Sequence, residues 1–445
     1  MGSQKLLGVL MGALFSAAIL TGCVGQSAEE LYALPKQPDE YYELQTAIDQ
    51  VLTSNASYSG PLTGNNQQAV QLADLDGDGR DEAIVFIKTV GERPLKAYIF
   101  DENEDGTYLN TGVIEGDGSA FDAVDYVQLD GEPGMEILLG RQLSEQITQS
   151  LCAYAYRDGH LVELMSTNYA EYTVADLDGD ERGDIFVLRS QTEERSAVAE
   201  LYRYVDGQME REPEVPLSDG TKQIRRFVTG IVAQNLPAVF VASEYGENMI
   251  ITDIFAFTGR DFRNISTNAE AGLSAQTVRS YNVYASDIDS DGLIELPAPV
   301  ALPSQNNEAT YWVIDWYNLM PDGRREVKTT TFHSYLNGWY LELPDYWHDH
   351  LTVMREENSD GDRGYTFAKW NGREQDAEVV LTIHAFTGED RLDRANSDDR
   401  FFLAEKGETV YAASFGDCIW AKQLTQDDVR AMFHFIQVDW NTGEI

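Results

Sequence analysis

Short apolar runs separated by glycine and acidic turns recur along most of this chain, and within the runs the period is two rather than 3.6. Residues 69–73, 82–90, 95–101 and 107–114 form one such series, which predicts four consecutive strands. The third strand carries Tyr98 and Phe100 on one face and then meets a turn ending in Gly106. The same mark returns as Tyr154 and Tyr156, Tyr202 and Tyr204, and Phe255 and Phe257, each pair ahead of a glycine turn. Ile314 and Trp316 take the place in a fifth unit. Alternating aromatics before such a turn mark a half-buried strand entering a hairpin.

A second mark keeps the same register. The stretch "ADLDGDGRDEAIVF" sits between the first and second predicted strands, with acids at every second position and then an apolar run. It recurs as "ADLDGDERGDIFVL" from Ala175 and "SDIDSDGLIELPAP" from Ser286, and more weakly as "VQLDGEPGMEILLG" from Val127. The first acidic positions are Asp74, Gln128, Asp176 and Asp287, and Thr229 fills the gap in "VTGIVAQNLPAVFVA", where the acids are lost. The spacings are about 54, 48, 53 and 58 residues, a period expected of propeller blades and other repeat arrays. Four short antiparallel strands per unit, repeated radially, protect sheet edges. The expected fold is therefore mainly β: an about five-bladed β-propeller of four-stranded blades over residues 62–336, followed by a small α+β domain. A linear solenoid is the alternative, although solenoid repeats are usually shorter or helical.

The chemistry of the loop follows from its spacing. Counted from Asp74, positions 1, 3 and 5 are Asp74, Asp76 and Asp78, position 7 is Arg80 with its backbone carbonyl, and position 9 is Glu82. Alternate side chains in a tight turn converge, and hard oxygen donors in that number suit Ca²⁺. The second full set is Asp176, Asp178, Asp180, Arg182 and Asp184, and the third is Asp287, Asp289, Asp291, Leu293 and Glu295. Asp130, Glu132 and Glu136 give the second unit a weaker set. Position 12, where an EF-hand needs its bidentate glutamate, is Val85, Val187 and Ala298, so these loops are not EF-hands. They resemble the calcium-binding propeller repeats of integrin α-chains and of bacterial FG-GAP/VCBS-type proteins. The shared core, Asp-x-Asp-x-Asp-Gly-x-x-Asp/Glu before a strand, is matched at Asp74, Asp76, Asp78, Gly79 and Glu82 and again at Asp287, Asp289, Asp291, Gly292 and Glu295. In the third unit Glu181 replaces the glycine, which strains the turn, and the Phe-Gly and Gly-Ala-Pro portions of the pattern are absent. The resemblance implies a propeller with bound calcium as its cofactor, the ions being structural rather than catalytic.

The ends and the composition add an address. One cation, Lys5, precedes an apolar run from Leu6 to Leu20 that is too short for a stable span and reads as a secretory h-region. Leu20-Thr21-Gly22-Cys23 resembles a bacterial lipobox, so residues 1–22 are expected to be a lipoprotein signal peptide and Cys23 the lipidated N-terminus. Residues 23–38 then read as a tether, and 39–61 as a helix with connector whose Leu44, Ile48, Val51 and Leu52 share a face. A formal net charge of −43 disfavours nucleic acid and anionic headgroups, leaving the lipid anchor as the sole expected membrane contact. Cys152 and Cys418 are far apart and read as separate thiols.

Residues 338–445 read as the α+β unit, with strands in "GWYLELPDYW", "HLTVMREE", "GYTFAKW", "AEVVLTIHAF" and "TVYAASF" and a helix opened by a Thr425/Asp428 capping box. No nucleophile elbow, phosphate-binding loop or zinc-protease helix occurs, which leaves no catalytic residue to name. The expected function is a lipid-anchored, extracytoplasmic binding or scaffolding module on the bacterial cell membrane, its partner a cell-surface glycan or protein. The alternative is a polysaccharide hydrolase or lyase using the central face of the propeller.

Overall fold

The computed structural model describes residues 39–436, apart from 144–148, 193–194, 269–271, 281, 305–310, 321–322, 358–361 and 398. The signal, Cys23 and the tether lie outside the described residues. Among the described residues, no helix is long and apolar enough to cross a membrane.

The described residues form six antiparallel sheets of four or five strands, and among them none closes on itself. In the first, Val70–Ala73, Glu82–Lys88, Leu95–Glu102 and Tyr108–Gly116 follow the expected order, with Ser57–Tyr58 paired to part of Glu82–Lys88. The second runs Ala120–Val127, Glu136–Gln142, Gln149–Arg157 and His160–Tyr169. The third runs Glu171–Ala175, Asp184–Arg189, Val198–Val205 and Gln208–Arg211, with Val215–Pro216 added. Thr221–Val232, Leu236–Tyr245, Met249–Thr258 and Asp261–Asn264 make the fourth. The second strand of each is a continuous apolar run because it is covered on both faces; Ala83 to Ile87 are wholly buried.

Hydrophobic clusters join the sheets in chain order. Phe86 and Leu95 of the first sheet share a core with Phe121, Leu139 and Cys152 of the second. Leu138 and Leu151 of the second meet Ile185 and Tyr202 of the third, and Phe186 and Leu201 of the third meet Val241 and Phe255 of the fourth. Phe240 and Ile254 then meet Leu296 and Tyr317 of the fifth, whose Phe332 and Trp339 pack on Phe367 and Leu381 of the sixth. Among the described residues no cluster joins the sixth sheet to the first. The helix Asp39–Val51 lays Leu44, Ala47 and Ile48 on Ala83, Val85 and Phe100, with Val51 and Leu52 against the same core. Burying each such leucine or isoleucine contributes roughly 1.5–3 kcal/mol.

Three details differ from the sequence reading. In the fourth sheet the first strand continues through Thr229 to Val232 and turns at Ala233–Asn235, since no acidic loop interrupts it; Gln234 and Asn235 take positive φ. Trp339–Leu343, read with the C-terminal segment, is the fourth strand of the fifth sheet after Leu296–Ala301, Trp312–Leu319 and Arg325–Ser334. The capping box is present, with the Asp428 amide donating to Thr425 Oγ1, but its helix ends at Met432. Phe433–Phe435 then becomes a fifth strand on Trp339–Leu341, covering an edge that would otherwise be unpaired. The sixth sheet comprises Leu351–Glu357, Arg363–Lys369, Glu378–Phe386, Thr409–Phe415 and Arg400–Lys406, in that spatial order. Cys152 is buried and Cys418 half-buried, and both are free thiols.

Candidate metal loops and an acidic cavity

Every acidic loop hangs between a first and a second strand, or in the fifth sheet just ahead of the first, and is pinned from below in the same way. Position 2 is an apolar side chain sunk into the core: Leu75, Leu129, Leu177 and Ile288 are 2%, 0%, 1% and 9% exposed. Its amide donates to the carboxylate at position 9: Leu75 to Glu82 at 2.7 Å, Leu129 to Glu136 at 2.7 Å, Leu177 to Asp184 at 2.9 Å and Ile288 to Glu295 at 3.2 Å. Burial, with neighbouring aspartates adding to it, pushes Glu82, Asp184 and Glu295 up to about 7. Glu295 Oε1 is buried and has no hydrogen-bond partner.

Above these acids the aspartates fold over the turn. The Gly77 and Gly79 amides donate to Asp74, and the Asp78 amide to Asp76. The third and fifth units repeat this through Asp176 with Glu181, and through Asp287 with Gly292. The turn needs left-handed backbone at position 6, where Gly79 and Gly292 have φ of 87°, and Glu181 is forced to 68°. A non-glycine residue there costs about 1–2 kcal/mol. The result is that oxygens of Asp74, Asp76 and Asp78 lie within 4.8 Å of one another, as do those of Asp176, Asp178 and Asp180 and those of Asp287, Asp289 and Asp291. All the gathered donors are hard oxygens, the type that suits a hard divalent cation, and in the fifth unit Glu295 adds a buried carboxylate oxygen with no partner beneath them.

The loops differ in the cations of their own that they hold. Arg80 places its guanidinium on Asp78 at 2.6 Å, which holds that carboxyl below the usual range. Arg182 does the same to Asp180, and Arg203 bonds Asp178 at 2.7 Å. The fifth unit has Leu293 at the corresponding position, and there the aspartates bond backbone amides. In the second unit Gln128 replaces the first aspartate and accepts from the Gly131 amide at 2.6 Å. There the guanidinium of Arg157 reaches Asp130, itself 8% exposed, and also donates to the Tyr204 hydroxyl at 2.8 Å. In this loop the arginine meets the one buried aspartate, the first aspartate is missing, and Glu132 enters none of the groups gathered within ligand distance.

Sequence reasoning missed a second feature. A cavity of about 710 Å³ opens between the first strands of the second and third sheets, with Thr63, Gly64 and Asn66 ahead of the first sheet and Phe227 of the fourth also on its wall. Three acids face it, Asp122, Asp125 and Glu171, together with Tyr126, Tyr169 and Tyr172. The hydroxyl of Tyr169 donates to Asp122, that of Tyr172 to Asp125 at 2.7 Å, and that of Tyr126 to Gln71 at 2.8 Å. Asp122 also accepts from Gln149 at 2.8 Å and Gln142 at 3.2 Å. Burial raises the phenols of all three tyrosines, and burial followed by the Asp122 charge raises Glu171. The available signal was the pair of acid- and tyrosine-rich first strands, "FDAVDYV" and "EYTVA", where an inner strand ordinarily reads apolar.

No protein-family model and no curated protein matches the chain. Among solved structures it is similar to a Bacillus licheniformis rhamnogalacturonan lyase, at 13% identity over 74% of this chain and 72% of that one, with a TM-score of 0.28. The rhamnogalacturonan lyase YesW matches at 12% identity over 72% and 74%, with a TM-score of 0.26. The exotype rhamnogalacturonan lyase YesX matches at 12% identity over 81% and 76%, with a TM-score of 0.28. Superpositions this loose carry no argument about shared fold or activity.

Proposed function

We propose that this chain is a membrane-anchored, extracytoplasmic lipoprotein whose successive sheets are the blades of a calcium-stabilised propeller of FG-GAP/VCBS type, serving as a binding or scaffolding module for a surface glycan or protein. The observation that carries it is the threefold convergence of aspartate oxygens within 4.8 Å, each group set over a buried acid. In this reading the ligands are Asp74, Asp76, Asp78 and Glu82, Asp176, Asp178, Asp180 and Asp184, and Asp287, Asp289, Asp291 and Glu295, with the carbonyls of Arg80, Arg182 and Leu293. Calcium there neutralises the crowded carboxylates and fixes the corner between two strands. A radial arrangement is supported by the cavity, because Phe227 of the fourth sheet and the 63–66 segment ahead of the first reach the same wall as the second and third sheets.

The test is a glycan-array and pull-down screen with the purified, calcium-loaded protein, joined to metabolic labelling with a lipid precursor. A specific partner and lipid incorporation abolished by Cys23→Ala are expected. A freely released, unlabelled product removes the anchor, and the absence of any partner removes the binding role. One observation favours a second reading, an enzyme acting on surface polysaccharide: Asp122, Asp125 and Glu171 converge on a cavity large enough for a sugar. Release of unsaturated or new reducing ends from a polysaccharide, lost in Glu171→Gln, would establish it.

A further inference from the structure

We infer that the cavity between the second and third sheets receives an organic ammonium group, which names the ligand class within the binding reading above and rests on it. Charge is the first argument. Asp122, Asp125 and Glu171 face this space, and among the described residues its wall contains no lysine or arginine. A carboxylate-bearing ligand meets only repulsion there, and no basic group clamps it.

Hydrogen-bond direction is the second. The hydroxyls of Tyr126, Tyr169 and Tyr172 already donate, to Gln71, Asp122 and Asp125. Of the other donors on the wall, Thr63, Asn66 and Gln149 bond the Asp122 carbonyl, the Val124 carbonyl and the Asp122 carboxylate. Apart from the Thr173 hydroxyl and the second amide hydrogens, the cavity therefore offers acceptor oxygens and ring surface inward. A neutral sugar needs donors and acceptors in alternation, whereas an ammonium needs only acceptors, negative charge and aromatic faces. Those three are what this wall supplies, and a cation against aromatic rings gains further from their quadrupoles.

A bare metal ion is the remaining cationic occupant, and the geometry disfavours it. The groups of three acids gathered to within 4.8 Å among the described residues are the loops, not the cavity. Asp122 has both oxygens engaged by Tyr169, Gln149 and Gln142, so the carboxylates left to contact an ammonium directly are those of Asp125 and Glu171. The volume of about 710 Å³ suits a small organic molecule or the tip of a larger one.

Isothermal titration of the calcium-loaded protein tests this with four probes: choline, glucosamine, N-acetylglucosamine and galacturonate. Binding of choline or glucosamine is expected, without binding of the other two, and the stronger of the pair separates a quaternary head group from an amino sugar. Glu171→Gln should weaken that binding about tenfold, as expected for loss of one partly solvated charge contact. Glu171 lies on the exposed side of its strand, so the variant keeps its circular dichroism. Equal or better binding of N-acetylglucosamine or galacturonate overturns the ammonium assignment while leaving a binding module standing. Silence from both ammonium probes at tens of millimolar also overturns it, and the array and pull-down screen then decides the wider reading separately.

Discussion

Replacing Asp76 and Asp289 by asparagine should move stability in opposite directions with and without calcium. Each residue is exposed, and each accepts from the backbone of its own loop, at 3.1 and 3.2 Å, a bond that the asparagine oxygen keeps. Only the charge is lost. Two carboxylates 4.8 Å apart repel by about 0.9 kcal/mol in water. Removing one of three deletes two such pairs, about 1.7 kcal/mol, or roughly 1 kcal/mol after screening at physiological salt. In a chelator the double variant should therefore be about 2 kcal/mol more stable than the parent. With calcium at 100 times its dissociation constant the parent gains about 2.7 kcal/mol per site, so the variant ends about 3 kcal/mol behind over two sites. Unfolding entropy near 2.1 cal/mol/K per residue over about 400 residues converts these to roughly +2 °C in EGTA and −4 °C in calcium. Thermal unfolding followed by circular dichroism in the two buffers is the assay. Shifts of the same sign in both would refute the reasoning, because a purely structural role for these aspartates cannot change sign with the ion. Asp178→Asn is the internal contrast: it strips Arg203 of one partner and should show no gain in EGTA.

Arg157→Gln should cost about 3 kcal/mol, the scale for breaking a buried pair, by stranding Asp130, and the loss should be equal in EGTA and in calcium. Equilibrium dialysis of the parent should accordingly count three calcium ions rather than four. Gly77→Ala should destabilise by about 3 kcal/mol, since its Cβ would stand 2.4 Å from the Pro133 Cβ at φ +77°. Gly79→Ala, at φ +87° with open space around it, should cost only about 1 kcal/mol, and urea midpoints separate the two. Burial holds His333 down to about 3, with its Nε2 2.9 Å from Thr331 Oγ1 and the rings of Trp316, Tyr335 and Tyr340 around it. Below the ordinary histidine range the unfolded chain takes up a proton that the folded chain refuses. Stability therefore falls with acidification between about pH 6.5 and 3, by up to about 1.4 kcal/mol per pH unit. Urea unfolding of His333→Gln from pH 6.5 to 4.5 should show a slope shallower by one proton, and parallel slopes would remove histidine from the account.

What was legible in the chain is what local chemistry dictates. Strands such as Glu82–Lys88 and Leu95–Glu102 are set by alternation and by glycine turns, and the acidic loops by their own spacing, so both could be placed within a residue or two. The acid at position 9 was legible from its spacing, but its amide bond to position 2 was not, because that depends on Leu75 or Ile288 being drawn into an inter-sheet core. The cavity is a different case. Its acids, with Tyr126 and Tyr172, come from first strands that meet only when sheets about fifty residues apart pack together, and Tyr169 joins them from the end of His160–Tyr169. Arg157 was hidden for the same reason, since the loop it neutralises lies twenty-seven residues earlier. The edge of the repeat misled in another way. The acidic and aromatic marks end before Gly338, yet backbone pairing continues across that point into Trp339–Leu343.

That continuation changes how the C-terminal part is held. The sixth sheet lies in sequence between Trp339–Leu343 and Phe433–Phe435, and these two strands are neighbours in the fifth sheet. The intervening segment is thus an excursion that leaves one sheet and returns to it, rather than a unit joined by a single linker. Its core is shared as well: Phe332 meets Phe367 at 5.1 Å, edge to face, and Trp339 meets Phe433 at 5.5 Å. Trp347, fully buried, stacks on Trp420 at 6.2 Å within the same cluster. Opening the sixth sheet would expose aromatic surface on the fifth and unpair an edge strand together, so the two should unfold as one cooperative body. The fifth unit's acidic loop leads straight into Leu296–Ala301 of that body, and among the three loops with a full set of aspartates it is the one with no arginine at position 7. A cation there would act on the core joining the fourth and fifth sheets, where Leu296 is buried beside Glu295, so the charge crowding and the hydrophobic core meet at Glu295.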